Sequence, residues 1–280
     1  MSLVSLPPYP GIPNLIAKFL EWSRQIGRPL NSTPLIPVLC YRGHDCDNWK
    51  LLPKLCRNRT NVSIDLLKQD ERDILAEFRS RFRLHDWTVA EVMAYAQHHG
   101  APTRLLDWSR NPFVGLWFAV SDANYDDCEG TVYQLALRSN PKVITAMAEP
   151  PLTLVAGEDF KCEGGCPIHV FSCPPRVERA ERQSSVFSLA NLADGYAIKP
   201  LEEILKLNET ELLRKFTIPH EYKLELRRFL SDVGLDAYSI YGGPDALGKS
   251  MMSRLYTLSE NFNLSPSNLS TEKENSPPHD

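Results

Sequence analysis

One short stretch limits what this chain can fold into more than any other: Gln97, His98, His99, Gly100, Ala101, Pro102, Thr103, Arg104, Leu105, Leu106, Asp107, Trp108 and Ser109, followed by Asn111 and Pro112. Gly100 accepts the left-handed conformation that closes a helix, and Pro102 forbids its continuation. Asn111 can cap a new helix, and Pro112 suits its first position, where the missing N–H has no partner to lose. Between the two helix ends lies an extended run, 103–109. A strand carrying Arg104, Asp107 and Ser109 between helix termini reads as the wall of a site.

The remainder of the chain must supply a core around that wall. With 280 residues, 42% hydrophobic and 24% charged, it can bury one large core or two modest ones. A net charge of −4 and a pI near 6.0 leave no basic footprint for nucleic acid held by bulk charge. The seven cysteines are an odd count, and Pro7, Pro8, Pro10 and Pro13 stand where an apolar signal core would be needed. The thiols therefore read as reduced and the protein as cytoplasmic, with no membrane partner, since no apolar run reaches spanning length.

In chain order, residues 1–11 read as a loose arm and Asn14 as the cap of a helix over 15–26. A proline-rich lead-in follows, then a buried strand at 38–41 that runs into Arg42 and Gly43. A long helix is expected over 63–84, with Ile64, Leu67, Ile74, Leu75, Phe78 and Phe82 on its inner face. Thr88 and Glu91 have capping-box spacing, so the next helix delivers Gln97, His98 and His99 at its last turn. After the helix at Pro112, strands are expected at 131–137, 143–144, 168–171 and from about Val186. Helices are expected at 201–206, 209–215, 219–232 and from Gly242 to about Leu255. From Ser259 the composition is that of a disordered tail.

Tyr41, Arg42 and Gly43, the stretch from Gln97 to Pro112, and Trp117, Phe118 and Ala119 together resemble the FRG domain family, named for a Phe/Tyr–Arg–Gly motif. Arg179, Gln183 and Phe187, and the run Phe216, Thr217, Ile218, Pro219, also fit its pattern. The resemblance implies a division into an arm and helix over 1–35, an FRG domain over 36–257 and a tail over 258–280. It also implies a setting in bacteria and phages, often near defence genes, rather than a reaction.

A more distant resemblance is to ADP-ribosyltransferases of the arginine–serine–glutamate type. It implies an α+β fold with an ADP-ribosyltransferase-like split β-sheet core and a helical insert after the first strand. It further implies NAD as cofactor, a nucleotide partner and a protein or nucleic-acid acceptor. Arg42 matches the arginine that holds NAD phosphate, with Tyr41, Gly43, His98, His99, Thr103 and Arg104 around it as cofactor-binding candidates. A guanidinium offers diphosphate two aligned donors, which a lysine cannot copy. Ser109 matches the second motif. Gln183 stands where the enzymes place the glutamate that binds ribose hydroxyl, so Gln183, Ser109 and Asp107 are the catalytic candidates, Asp107 supplying the carboxylate that Gln183 lacks.

Each of these residues has a plainer reading. Arg42 can pin a strand end through an ion pair, the two histidines can complement a helix dipole, and Arg104 can pair with Asp107. The same pocket can also serve a non-catalytic module that binds a nucleotide or a protein. Cys162, Cys166, His169 and Cys173 are zinc ligands in type, but their spacing fits none of the common ribbons, and no metal is expected.

Overall fold

The structure, a computed structural model, describes residues 11–25, 38–59, 62–137, 144–147, 154–159, 168–173, 176, 182–205 and 213–261. The expectations for residues 1–10, Cys162, Cys166, Arg179 and the chain past 261 lie outside the described residues. The elements in order are helix α1 (Pro13–Arg24), strand β1 (Val38–His44), helices α2 (Ile64–Arg81) and α3 (Val89–His98), strand β2 (Leu105–Ser109), helix α4 (Pro112–Phe118), strands β3 (Gly130–Leu137), β4 (Ile144–Met147), β5 (Ile168–Ser172) and β6 (Ser185–Ala190), helix α5 (Leu201–Ile204), strand β7 (Leu213–Ile218), and helices α6 (Lys223–Asp232), α7 (Ala237–Tyr241) and α8 (Gly243–Asn261). This is a mixed α+β fold, and a helical segment, α2 and α3, does separate β1 from β2.

Local signals account for the α2–β2–α4 region. The Ser63 hydroxyl caps α2 by accepting from the Leu66 N–H at 3.3 Å. Thr88 and Glu91 form the reciprocal box at α3: the Glu91 N–H donates to Thr88 Oγ1 at 3.3 Å and the Thr88 N–H to Glu91 Oε2 at 2.7 Å. Gly100 takes φ 83°, the left-handed value the helix stop requires. Asn111 Oδ1 accepts from the Phe113 N–H at 2.9 Å, with Pro112 next in the first turn of α4.

Three local expectations need correction. Pro13, not Asn14, opens α1, because its fixed φ suits the first helical position and Ile12 before it is buried. Phe82 is not on the inner face of α2; it is the residue after the helix and is 51% exposed. Residues 213–215 are not helical but begin β7, whose pairing with β3 from Leu135↔Leu213 to Gly130↔Ile218 overrides the helical propensity of Leu, Arg and Lys. Helix α7, which the sequence did not suggest, is opened by a second capping box between Asp236 and Ser239.

The strands form a seven-stranded sheet in the order β4-β5-β6-β2-β1-β3-β7. All neighbours are antiparallel except β4 and β5. One face carries Tyr41, Val132, Leu105, Phe187 and Phe171. Helices α1, α4 and α6 cover its β1–β3 half, and α2 and α3 its β2–β6–β5 half. The other face carries Cys40, Tyr133, Leu135, Trp108, Leu106, Val186 and Val170 and is closed by Leu51, Leu201 and Leu205. At roughly 1.5–3 kcal/mol for each large apolar side chain buried, these two layers dominate the stability of the fold.

Two features of β1 follow from close packing. A Cβ on Gly43 would sit 2.1 Å from the Gly115 carbonyl oxygen, so only glycine lets β1 lie against α4. Moreover, β1 and β2 pair at a single position, Tyr41↔Ser109, whereas β1 follows β3 along its whole length. The two halves of the sheet part at that point.

Candidate functional site

The parting of β1 and β2 opens a cleft of about 180 Å³ lined by Arg42, Lys54, Arg57, Gln97, Gly100, Ala101, Leu105 and Asp107. Arg42 enters it from β1. Its Nη1 donates to the Asp107 carbonyl oxygen at 2.8 Å, a bond that a backbone N–H would make if the ladder continued. Its Nε donates to His44 Nε2 at 3.1 Å. His44 is therefore the neutral tautomer with its proton on Nδ1, 3.3 Å from the Trp49 carbonyl oxygen. Burial, with Arg42 beside it, holds this imidazole well below its ordinary pKa, so it stays an acceptor. Burial lowers Arg42 to about 10; Asp107 opposes the shift and Arg57 adds to it. Arg42 is cationic at neutral pH all the same.

Asp107 faces Arg42 across the gap, Oδ2 lying 3.9 Å from Nη1. Gln97 Nε2 donates to the same oxygen at 3.0 Å, and the Thr103 hydroxyl donates to Gln97 Oε1. Asp107 Oδ1 is buried with no hydrogen-bond partner. Lys54 and Arg57 arrive on the single 3₁₀ turn after β1. Lys54 Nζ donates to the Gly100 carbonyl oxygen at 2.5 Å and Arg57 Nε to that of Leu52 at 3.0 Å. Three cations and one carboxylate thus share a small concave space, which suits a multiply charged anion.

Of the residues expected to join Arg42, Asp107 lines the same cleft, and most of the others are placed elsewhere. Directly opposed residues of an antiparallel pair share a face, so Tyr41 and Ser109 lie on the α4 side and Arg42 springs from the other. The Ser109 hydroxyl donates to the Gln183 carbonyl oxygen at 2.6 Å and accepts from the Asn111 N–H at 3.0 Å. The Gln183 amide is buried, donating to the Ile240 carbonyl oxygen at 3.2 Å and accepting from the Ser185 hydroxyl at 3.4 Å. Ser109 and Gln183 do meet, but as a brace joining β2, β6 and α7 and not in the cleft with Arg42. Tyr41 donates to the Ser23 carbonyl oxygen at 2.6 Å, which ties β1 to α1. Gly43 lies under α4. The His98 ring packs on Phe187 at 5.8 Å and that of His99 on Tyr95 at 4.5 Å.

Arg104 was expected to pair with Asp107 or to bind cofactor. Instead it is 0% exposed and faces Glu71, 1% exposed, with Nε 2.9 Å from Oε1. Its Nη2 donates to the Glu158 carbonyl oxygen at 2.6 Å, and Glu71 Oε2 accepts from the Gly157 N–H at 2.7 Å. Glu71 lies between Leu67 and Leu75 on the buried stripe of α2, so this ion pair bolts the helix to β2.

Sequence reasoning missed Lys54 and Arg57. The signal was two basic residues flanking Leu55 and Cys56 after Pro53; the turn exposes the first pair and buries the second. His169 and Cys173 lie at β5 and just past it, and among the described residues no group of three His, Cys, Asp or Glu side chains could hold a metal ion. No helix among them is long and apolar enough to cross a membrane.

Comparison with known proteins agrees with part of this. No curated protein and no solved structure matches the chain. Residues 38–128, from the first residue of β1 to the loop after α4, match the family model of the FRG domain, and they hold every residue that lines the cleft.

Proposed function

We propose that the β1–β2 cleft is a binding site for the phosphates of a nucleotide of the NAD or ADP-ribose type, and that the domain acts as a nucleotide-binding module. The observation that carries this reading is the convergence of Arg42, Lys54 and Arg57 on one concave space, with Arg42 pre-set by His44 and the Asp107 carbonyl. A donor fixed before binding loses little entropy on meeting phosphate. The space of about 180 Å³ accommodates a diphosphate but not a whole dinucleotide, so a sugar or base would lie outside it.

A glycosyl-transfer step finds less support. Ser109 and Gln183 are engaged with one another away from Arg42, and the Ser109 hydroxyl bonds no carboxylate. One observation favours transfer: Asp107 brings a carboxylate with a partnerless oxygen to the cleft. Two measurements separate the readings. Pyrophosphate, ADP-ribose and NAD should each raise the melting temperature, a ligand at a hundred times its Kd stabilising by about 2.7 kcal/mol. Arg57→Ala should weaken binding about tenfold, the low end for a charged hydrogen bond. No shift with any of the three at millimolar concentration refutes the binding site. Nicotinamide release that Asp107→Asn abolishes would establish cleavage of the glycosidic bond, and an ADP-ribosylated product would establish transfer.

A further inference from the structure

Two thiols meet where the β1–β3 ladder runs out. The strands pair as far as His44↔Thr131, and the chains stay together beyond it because the Asp47 N–H donates to the Glu129 carbonyl oxygen at 2.9 Å. Cys46 and Cys128 flank that bond, both free, and the Cys46 thiol is near enough to Cys128 to raise its pKa. The flanking backbone is held on both sides by α6. Lys223, fully buried, donates from Nζ to the Asp45 carbonyl oxygen at 2.8 Å and to that of Tyr125 at 2.5 Å. Arg227 Nη1 donates to Asp126 Oδ1 at 2.6 Å. The pair is thus kept side by side by groups other than itself.

We propose that Cys46 and Cys128 form a redox-modification site that oxidises to an intrachain disulfide by exchange with a small disulfide of the glutathione class. Accessibility sets the order of the steps. Cys46 is 5% exposed and Cys128 only half-buried. The Cys128 thiolate attacks oxidised glutathione, a sulfur–sulfur bond breaks, and one reduced glutathione leaves. Cys46 then attacks the mixed disulfide at the Cys128 sulfur and the second glutathione leaves. The protein dithiol is oxidised by two electrons, the small disulfide is reduced by two, and the two thiol protons end on the released glutathiones. The neighbouring Cys46 thiol pushes the Cys128 thiol up to about 11, so thiolate is scarce at neutral pH and the exchange is slow. Cys40 and Cys56 are sealed in the interior and do not compete. The bond would close the chain from the end of β1 to the start of β3, which restricts the denatured ensemble and resists unfolding. This inference stands apart from the reading of the cleft.

The test equilibrates the full chain in glutathione buffers of graded redox poise, blocks remaining thiols with an alkylating agent, and maps peptides by mass spectrometry. The expected result is a linked Cys46–Cys128 peptide, two hydrogen masses lighter than the reduced pair and reversible with excess reduced glutathione. The oxidised protein should also unfold at higher denaturant than the reduced one. Cys128→Ser, at the more exposed position, should fold, form no link and lose that difference. Cys128 held as a stable mixed disulfide, linked to a different cysteine, or still alkylatable at the most oxidising poise overturns the proposal.

Discussion

Removing one partner of the Glu71–Arg104 pair should cost far more than removing both. Glu71→Leu leaves a guanidinium that is 0% exposed with no counter-charge, and Arg104→Met leaves a carboxylate that is 1% exposed in the same state. Breaking a buried pair in this way typically costs about 3–5 kcal/mol. The double variant strands only two backbone groups, the Gly157 N–H and the Glu158 carbonyl, both now satisfied by the pair. At about 1 kcal/mol for each, its loss should be near 2 kcal/mol. The two singles should therefore exceed the double in total by at least about 4 kcal/mol, well outside the additivity expected of independent sites. Urea denaturation followed by circular dichroism, with the slope m unchanged across the four proteins, measures this directly. Singles that add to the double within about 0.5 kcal/mol, or either single costing under about 1 kcal/mol, would refute the reasoning. The same set bears on function. A folded double variant should keep the full melting shift with pyrophosphate, because Arg104 does not line the cleft. Loss of that shift would return Arg104 to the binding site.

Burial raises Asp45 from 3.8 to about 6, with Lys223 and the Asp122 N–H opposing. The folded state therefore holds the proton more tightly; the stabilisation is full below pH 3.8 and is lost as pH rises through about 6, a change of about 3 kcal/mol that Asp45→Asn should flatten in denaturation curves taken at several pH values. Gly43→Ala forces a Cβ to within 2.1 Å of the Gly115 oxygen and 2.5 Å of the Ala119 nitrogen, so it should cost about 3 kcal/mol or more, read as a lower melting temperature or an insoluble product. Gln183→Ala removes the donor to the Ile240 carbonyl and should cost about 1–3 kcal/mol while leaving the pyrophosphate shift unchanged; a variant of normal stability that no longer binds would place Gln183 in the site.

What the sequence made legible is what neighbours in the chain decide among themselves. The box at Thr88 and Glu91, the stop at Gly100 and the start at Asn111 and Pro112 are each complete within a few residues, and each stands in the structure as expected. Strand β7 was not legible, because its polar residues find partners far away. Arg214 Nη1 donates to the Gln25 carbonyl oxygen at 2.6 Å, and Lys215 pairs with Asp47 at 3.6 Å. The motif Tyr41, Arg42, Gly43 was visible, but which side of the sheet Arg42 leaves from depends on the register Tyr41↔Ser109, and register is a property of two strands. For the same reason the burial of Glu71 on α2 was not legible. Its helical position is on the stripe with Leu67 and Leu75, and only the arrival of Arg104 makes a carboxylate tolerable there.

A sheet joined across its middle by the one rung Tyr41↔Ser109 has its lowest torsional stiffness at that seam. Seven rungs lock β1 to β3 and five lock β2 to β6, so each half is tied more firmly within itself than to the other. Arg42 acts there as a peg, its Nη1 on the Asp107 carbonyl oxygen at 2.8 Å. A phosphate bound in the cleft as proposed would meet Arg42 with the peg in place, so occupancy of the cleft and clamping of one half-sheet against the other would become a single event, without a hinge loop. Hydrogen exchange should register it as a ligand-dependent change confined to β1 and β2, with β3 and β6 unchanged.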